Sequence, residues 1–386
     1  MIALKRGNGS KLLLGSEIAR GGEGTIYAIV GAPQHVAKIF HKPSHEKDLK
    51  LRAMLANRPR DHTLQRGHVS IAWPIDRILN QDDQCIGFTM PYIDRQNSIP
   101  PLKLYNPRNR REIYLNFTWK YLLRMAKNLA IMIADLHKRG YVVGDLNESN
   151  ILVTGTTLVT LVDCDSMQVP KKFGQAKKSP AYFRCSVGKP EYTPPELQGK
   201  DFSQVDRTFN HDNFGLAVLF FLMLMEGRHP FASTWPGDGP PPTLAQNIQA
   251  NNFPYVGSGK LRRPKNALPL EILPPDVQKL MIQCFAPQYN ITIFSLAKKP
   301  KNFIQKTIWK ITNRSTQPEP LEERPSAYKW AQTFEDAEKE LKQCSKHPKM
   351  HFYSKHLKDK CPWCARMEQG FPDPFLEVGG AQLPVG

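Results

Sequence analysis

Tyr141-Val142-Val143-Gly144-Asp145-Leu146-Asn147-Glu148-Ser149-Asn150-Ile151-Leu152-Val153, followed by Leu161-Val162-Asp163-Cys164-Asp165, is the stretch on which the fold turns. The apolar runs 151–153 and 159–162 read as short strands, and the polar loop before them is bounded on both sides by apolar residues. A two-stranded ribbon of this kind brings Asp145, Asn150 and Asp163 to one end. Two of these side chains can hold a metal ion through oxygen while the third orients a hydroxyl.

Upstream, Tyr121, Leu122, Met125, Leu129, Met132, Ile133 and Leu136 recur at helical spacing, which predicts a long buried helix from Trp119 to about Gly140. Residues 1 to about 95 are strand-rich: 11–14, 25–30, 35–40, 69–73, 76–79 and 85–90 are β-prone runs broken by Gly and Pro. Between them 46–56 reads as one helix, carrying Leu49, Met54 and Leu55 among charges. Residues 91–101 read as a connector, and helices dominate beyond 162. The expected class is α+β, a small β-rich lobe followed by a larger α-rich one.

In the first lobe, Ile18-Ala19-Arg20-Gly21-Gly22-Glu23-Gly24-Thr25-Ile26-Tyr27 is a glycine-rich turn between strands. Such a turn lets backbone N–H groups approach phosphate oxygens with no Cβ in the way. The next strand, Val36-Ala37-Lys38-Ile39-Phe40, buries a lysine, and a buried ammonium needs an anionic partner. Nucleotide phosphates and a helix carboxylate would serve, with Glu46 as the candidate carboxylate. The alternative is a lysine that snorkels to solvent.

Taken together, these motifs resemble the protein-kinase superfamily over about residues 15–342. The resemblance implies a bilobal kinase fold, ATP with Mg²⁺ or Mn²⁺ as cofactors, Asp145 as catalytic base, and Asn150 and Asp163 as Mg²⁺ ligands. Lys38, held by Glu46, would place the α- and β-phosphates under Ala19, Gly21, Gly22, Gly24 and Ile26. Met90, Pro91, Tyr92 and Ile93 look like the gatekeeper and hinge that hold adenine. Pro194-Pro195-Glu196 looks like the close of an activation loop, Asp212-Asn213-Phe214-Gly215 like the helix start that braces the catalytic loop, and Arg324 like the late arginine that pairs with Glu196.

The chain also departs from that pattern. Ala19 stands for the first glycine, Val143-Gly144 for His-Arg, Asn147 for the catalytic-loop lysine and Cys164-Asp165 for Phe-Gly. Without the arginine, a phosphorylated activation loop loses its usual anchor. Asp165 would add a carboxylate near the metal. Gly-Asp-Leu followed by Asn is shared with small-molecule kinases, whereas Pro-Pro-Glu and Asp-x-Phe-Gly belong to kinases that build a peptide platform. A protein substrate with Ser/Thr hydroxyls is therefore the first expectation. A nucleotide-binding pseudokinase scaffold and a small-molecule kinase are the alternatives.

More narrowly, Gly-Asp-Leu-Asn-x-Ser-Asn-Ile-Leu-Val, Val-Asp-Cys-Asp-Ser, Tyr-Thr-Pro-Pro-Glu-Leu-Gln-Gly and Arg-Pro-Ser-Ala together resemble a bacterial kinase group. Members are often associated with helix-hairpin-helix segments, or with a PP2C-type phosphatase and a von Willebrand-type protein of tellurite-resistance systems. Those partners are implied by the resemblance alone, and no helix-hairpin-helix segment is evident in the sequence.

Near the end, Cys344, His347, His351, His356 and Cys361-Pro362-Trp363-Cys364 crowd together. A Cys-x-x-Cys knuckle with an upstream Cys and His makes a closed tetrahedral set suited to structural Zn²⁺. Cys344, His351, Cys361 and Cys364 are the favoured ligands, with His347 and His356 in reserve, and this choice matches the tail of the resembling group. A redox pair at Cys361 and Cys364 is the competing reading, but it explains neither Cys344 nor the histidines. The expected boundaries are 1–93 and 94–342 for the two lobes, 343–370 for the zinc module and 371–386 for a loose tail. A basic insertion is expected at 286–322.

Of 386 residues, 40% are apolar and 23% charged, ordinary values for a globular protein. The apolar run 216–225 is too short to span a bilayer, and no secretory signal is evident at the start. Seven cysteines, an odd count, argue against a disulfide framework, so a reducing cytoplasm is expected. The net charge of +18 could serve nucleic acid, an anionic surface or an acidic partner, although no base-reading motif accompanies it.

Overall fold

Short β-prone runs in the first 91 positions build one seven-stranded sheet in the computed structural model, which describes residues 4–113, 116–171, 182–256, 261–287, 323–358 and 360–376. The strands are β1 (Leu4–Arg6), β2 (Lys11–Leu12), β3 (Leu14–Arg20), β4 (Gly24–Ile29), β5 (His35–Phe40), β6 (Asp76–Leu79) and β7 (Cys85–Pro91). They lie in the order β2-β1-β6-β7-β5-β4-β3, and every neighbouring pair is antiparallel. β1 has no counterpart among the expected strands, since three residues are too few to show a period. Gly24 is required where β4 meets β5, because a Cβ there would sit 2.5 Å from the carbonyl oxygen of Ile39.

Helix α1 (His45–Ala56) crosses from β5 to β6 and is capped by Ser44, whose hydroxyl accepts from the Lys47 N–H at 3.2 Å. Its inner face is Leu51 and Met54, not the expected Leu49, which is exposed. Leu51 packs with Phe40, Leu79, Cys85 and Phe88. Asp48 accepts from Arg77 at 2.7 Å and from Arg52 at 2.9 Å, tying α1 to the sheet. The arginine bonds outweigh burial and hold the Asp48 carboxyl below its ordinary range. The expected strand at 69–73 is not part of the sheet. Its backbone instead pairs further along the chain, with a bridge between Ile71 and Leu161 and a bond from Ala72 N–H to the Leu161 carbonyl at 2.9 Å.

The rest of the chain is mainly helical. Its elements are β8 (Ser98–Ile99), α2 (Leu102–Tyr105), α3 (Pro107–Ile113), α4 (Trp119–Lys138), β9 (Ile151–Thr154), β10 (Val159–Leu161), β11 (Val169–Pro170), β12 (Tyr182–Phe183), α5 (Phe209–Leu224), α6 (Leu244–Gln249), α7 (Pro275–Phe285), α8 (Ala327–Lys339), β13 (Leu341–Gln343), β14 (Phe352–Ser354) and α9 (Pro362–Glu368). The ribbon expected from the sequence is β9 and β10, with β8 added as a third strand from the segment expected to be a connector. α4 buries Leu122, Met125, Leu129, Met132, Ile133 and Leu136, the expected stripe. α5 is buried continuously from Asp212 to Leu224, which makes it the central helix of the core. α8 lies on α4, where Glu338 accepts from Arg124 at 2.9 Å and from Lys127 at 3.1 Å.

The C-terminal segment does not stand apart. Cys344, Met350, Tyr353, Trp363 and Phe375 belong to the same buried cluster as α4 and α5, and the rings of Trp119 and Trp363 lie 5.9 Å apart. The tail expected to be loose from 371 is packed as far as its described residues reach, to 376. Phe375 sits edge-on against Trp363 at 4.9 Å. Buried Arg110 donates to the Pro374 carbonyl at 2.8 Å and stacks over Phe375 at 4.5 Å. Burial brings Arg110 down to about 9, the Glu226 and Asp373 carboxylates opposing it only in part. Most of the basic insertion, 288–322, lies outside the described residues.

Candidate functional site

The sheet and the helical part face each other across a cavity of about 660 Å³. Its roof is the glycine-rich turn, with Ala19, Gly21, Gly22, Gly24 and Ile26 on its lining, and its back is Lys38. Met90, Tyr92 and Ile93 line one side, while Asp145, Asn150 and Asp163 form the floor. All the expected cleft residues therefore converge, with the exception of Glu46. Val36, Ala72, Leu152 and Val162 complete an apolar lining that the sequence reading did not assign. Val36 was within reach, because it shares a face of β5 with Lys38 by period two.

Glu46 is exposed on α1, and Lys38 makes its bonds elsewhere. The Lys38 ammonium donates to Asp163 Oδ1 at 2.7 Å and to both oxygens of Asp165, at 2.7 and 2.8 Å. Burial works against the charged ammonium, but the Asp165 and Asp163 carboxylates outweigh it and raise its pKa above the ordinary lysine value. The expected Lys38–Glu46 pair is thus replaced. A serine caps α1 at Ser44, which places Glu46 in the first turn facing water.

The loop between α4 and β9 is braced from behind by Asp212 at the start of α5. Its buried carboxylate accepts from the N–H of Val143 at 2.7 Å, the N–H of Gly144 at 2.8 Å and His137 Nε2 at 3.0 Å. Gly144 has φ +75°, and a Cβ there would lie 2.7 Å from Cys185 Sγ, so only glycine fits. In front of this brace, Asp145 accepts from Asn147 Nδ2 at 2.8 Å and from Asn150 Nδ2 at 3.0 Å. The amide nitrogen of Asn150 is thereby engaged, and its carbonyl oxygen is the atom it can offer a cation. Asp163, in the left-handed region at φ +58°, keeps 41% of its side chain exposed toward the cleft.

Two arginines support this floor. Arg324 forms a fork with Glu196, at 2.6 and 2.8 Å, so the pair anticipated across 128 positions is formed. Arg207, buried and stacked 3.9 Å over Phe202, donates to the carbonyls of Gly144 and Val187. It thereby joins the loop carrying Asp145 to the segment after β12. Sequence reading missed Arg207, since nothing in its surroundings departs from an ordinary surface arginine. Lys189 Nζ lies 2.6 Å from Ser149 Oγ, a further cation at the mouth of the cleft.

At the other end of the molecule, one ligand atom from each of Cys344, His351, Cys361 and Cys364 lies within 4.8 Å of the other three, and all four residues are buried. The hairpin β13–β14 supplies the first two and the start of α9 the last two. Cys344 Sγ and Cys364 Sγ are 3.5 Å apart, and His351 Nδ1 is 3.6 Å from both Cys361 Sγ and Cys364 Sγ. A tetrahedron with bonds of about 2.3 Å to sulfur and 2.0–2.1 Å to nitrogen has edges of roughly 3.5–3.8 Å, so the set can hold a metal ion. Backbone N–H groups of His347 and Lys346 outweigh burial and bring the Cys344 thiol down to about 7, while burial pushes Cys361 up to about 12.

His351 turns its Nε2 to Asp373, at 3.0 and 3.1 Å, which fixes the ring with Nδ1 toward the sulfurs. The sequence reading missed Asp373 because it lies in the tail expected to be loose. The reserve ligands stay outside the set. His356 is turned to Ser354 Oγ and the Glu271 carbonyl, and the His347 ring lies tilted by 41° against His351, 4.6 Å between ring centroids.

No family model matches the chain. It is 32% identical over 384 residues to "Protein kinase YegI" of Escherichia coli strain K12, a match that covers 98% of this chain and 52% of that protein. The counterpart of the same name in Escherichia coli O157:H7 is 32% identical over 371 residues, covering 95% of this chain and 50% of that one. A shorter match, 26% over 131 residues, is to "Inactive serine/threonine-protein kinase/endoribonuclease IRE1-like" of Arabidopsis thaliana, with 34% of this chain and 22% of that protein covered. The chain spans about half the length of the bacterial relatives it matches, and nearly all of it is similar to proteins named as bacterial kinases.

Proposed function

We propose that the chain has the bilobal protein-kinase fold and transfers the γ-phosphoryl group of ATP to Ser or Thr hydroxyls of a protein substrate, itself included. The observation that carries this reading is the convergence of Lys38, Asp145, Asn150 and Asp163 in one cleft beneath the glycine-rich turn. Mg²⁺, when bound, would neutralise the phosphate charge. Asp163 and the carbonyl oxygen of Asn150 would hold it. Asp145, kept in place by Asn147 and Asn150, orients the acceptor hydroxyl and takes its proton. Lys38 holds the α- and β-phosphates, and Met90, Tyr92 and Ile93 receive the adenine.

The same proposal gives Cys344, His351, Cys361 and Cys364 to a structural Zn²⁺, since thiolates with imidazole suit that ion. It includes, on resemblance, a PP2C-type phosphatase and a von Willebrand-type protein as partners and the cytoplasm as location. Among the described residues no helix is long and apolar enough to cross a membrane. A nucleotide-binding scaffold without transfer is the second reading. It is favoured by Asn147, whose amide is engaged with Asp145 where the pattern has a lysine for the γ-phosphate.

The deciding experiment measures phosphate transfer from labelled ATP with Mg²⁺ or Mn²⁺, with autophosphorylation read by intact mass. Wild type is expected to gain phosphoserine or phosphothreonine, and Asp163→Ala to lose transfer by about 10²–10³-fold or more at unchanged folding. Equal rates in the two proteins would overturn the assignment. ATP binding without transfer in either would leave the scaffold.

A further inference from the structure

Lys38 is buried in the middle of β5, and a buried ammonium is tolerated only against a fixed anion. Two carboxylates meet it, and they differ in kind. Asp163 is partly exposed and faces the cavity where phosphate and cation would sit. Asp165 is buried and gives both of its oxygens to the same ammonium. It sits in a single tight turn, Cys164–Ser166, which is fixed by bonds from Ser166 N–H at 3.2 Å and Ser166 Oγ at 2.8 Å to the Asp163 carbonyl. The neighbouring Cys164 side chain is buried against the core, so the turn has little freedom.

Helix α1 offers nothing equivalent. Glu46 is exposed, and Asp48 is committed to Arg77 and Arg52. From α1 both Glu46 and Lys50, one turn apart, line an adjoining cavity together with Asp165, but the carboxylates bonded to the Lys38 ammonium are Asp163 and Asp165. Asp165 therefore faces one lysine from the sheet and a second from the helix.

We propose that Asp165 is the residue that positions Lys38 for the nucleotide phosphates, taking over the part expected of an acid on α1. Asp163 is then free to turn to a cation, while Asp165 keeps the ammonium in place. The partner lies two residues beyond the cavity-facing Asp163, so lysine and cation site are set by one turn. A displacement of α1 would not disconnect Lys38. This inference rests on the reading of the cleft as an ATP site.

The test compares wild type, Asp165→Asn, Asp165→Glu, Glu46→Gln, Lys38→Met and the Lys38→Met/Asp165→Asn double variant in ATP binding by calorimetry and in KM and kcat for transfer. Asp165→Asn is expected to weaken ATP binding and raise KM about tenfold or more. Glu46→Gln should remain within twofold of wild type. In the Lys38→Met background, Asp165→Asn should have no further effect on ATP binding, an outcome that a merely structural role would not produce. If Asp165→Asn does not fold, Asp165→Glu decides, since moving the carboxylate by one methylene should also raise KM. An ATP affinity indifferent to Asp165, additive effects with Lys38→Met, or a loss on Glu46→Gln would each overturn the proposal. Wild type that binds no ATP would instead bring down the reading of the cleft, and this inference with it.

Discussion

The cleft under the glycine-rich turn and the cluster of Cys344, His351, Cys361 and Cys364 both gather groups that can hold a cation, and they are built in opposite ways. In the cleft the groups are hard oxygens, the cavity opens to solvent, and Asp163 leaves much of its side chain exposed. In the cluster the groups are sulfur and imidazole, all four residues are buried, and His351 has no exposed surface. Oxygen ligands at an open site exchange their ion readily, whereas buried thiolates retain it. On the proposed reading, that difference separates a site that would turn over from one that would hold the molecule together. The rings packed around the cluster, Trp363 against Trp119 and Phe375, connect it to α4, so what happens there is felt by the main core.

The hardest blow to this comparison would be a C-terminal site that can be emptied without consequence. Elemental analysis should find one zinc per chain. Removal by a strong chelator, or a Cys361→Ser substitution, should destabilise the protein by a few kcal/mol and lower the melting temperature by about 5–15 °C. Chelation of Mg²⁺ alone should leave the melting temperature nearly unchanged while stopping transfer. An unaltered melting curve after demonstrated loss of zinc would show that the cluster carries no structural load.

A smaller effect sharpens the same contrast. Asp373 touches none of the three sulfurs in the described contacts, yet it holds His351 by its far nitrogen. Burial opposes its charge, but the bonds from His351 and from the Phe375 N–H keep its carboxyl below the ordinary aspartate range. Asp373→Asn should weaken metal retention by about 10–100-fold, read by competition with a chromophoric chelator, and leave ATP affinity as it is. Equal retention in the two proteins would remove Asp373 from the metal centre.

How much of this was legible beforehand follows the range over which each signal acts. The ribbon β9–β10, helix α4, the glycine-rich turn and the Cys-x-x-Cys knuckle are written in residues close in sequence, and all are found where the periodicity and spacing placed them. Lys38 was legible as a buried cation in need of an anion, but its partner was not. The choice between Glu46 and Asp165 depends on which way α1 is rotated by its Ser44 cap and its Asp48–Arg77 tie, neither of which leaves a periodic trace. Arg207 and Asp373 act through carbonyls and a ring nitrogen brought near only by the fold. The segment 69–73 reads as a strand by composition, yet its backbone is bonded to the β10 end, a tertiary choice that overrides local propensity.

The smallest expected effect concerns the fork between Glu196 and Arg324, which fastens the segment after β12 to the chain just beyond 322. Burial opposes the Glu196 charge, but Arg324 outweighs it and holds its carboxyl below the ordinary glutamate range. A carboxylate whose folded-state pKa is depressed contributes stability that is fully present above its unfolded value of about 4.3 and is lost as pH falls through the folded value. The Glu196 side chain is 42% exposed, so solvent screens the pair and its contribution should be about 0.5–1 kcal/mol. Glu196→Gln should therefore lower the urea midpoint slightly at pH 7 and converge with wild type as the pH falls below about 4. Convergence would place the pair among the molecule's minor fastenings, well below the metal cluster. A loss at pH 7 as large as that from zinc removal would mean that the cleft side, too, depends on a single tie, and the contrast between the two regions would fail.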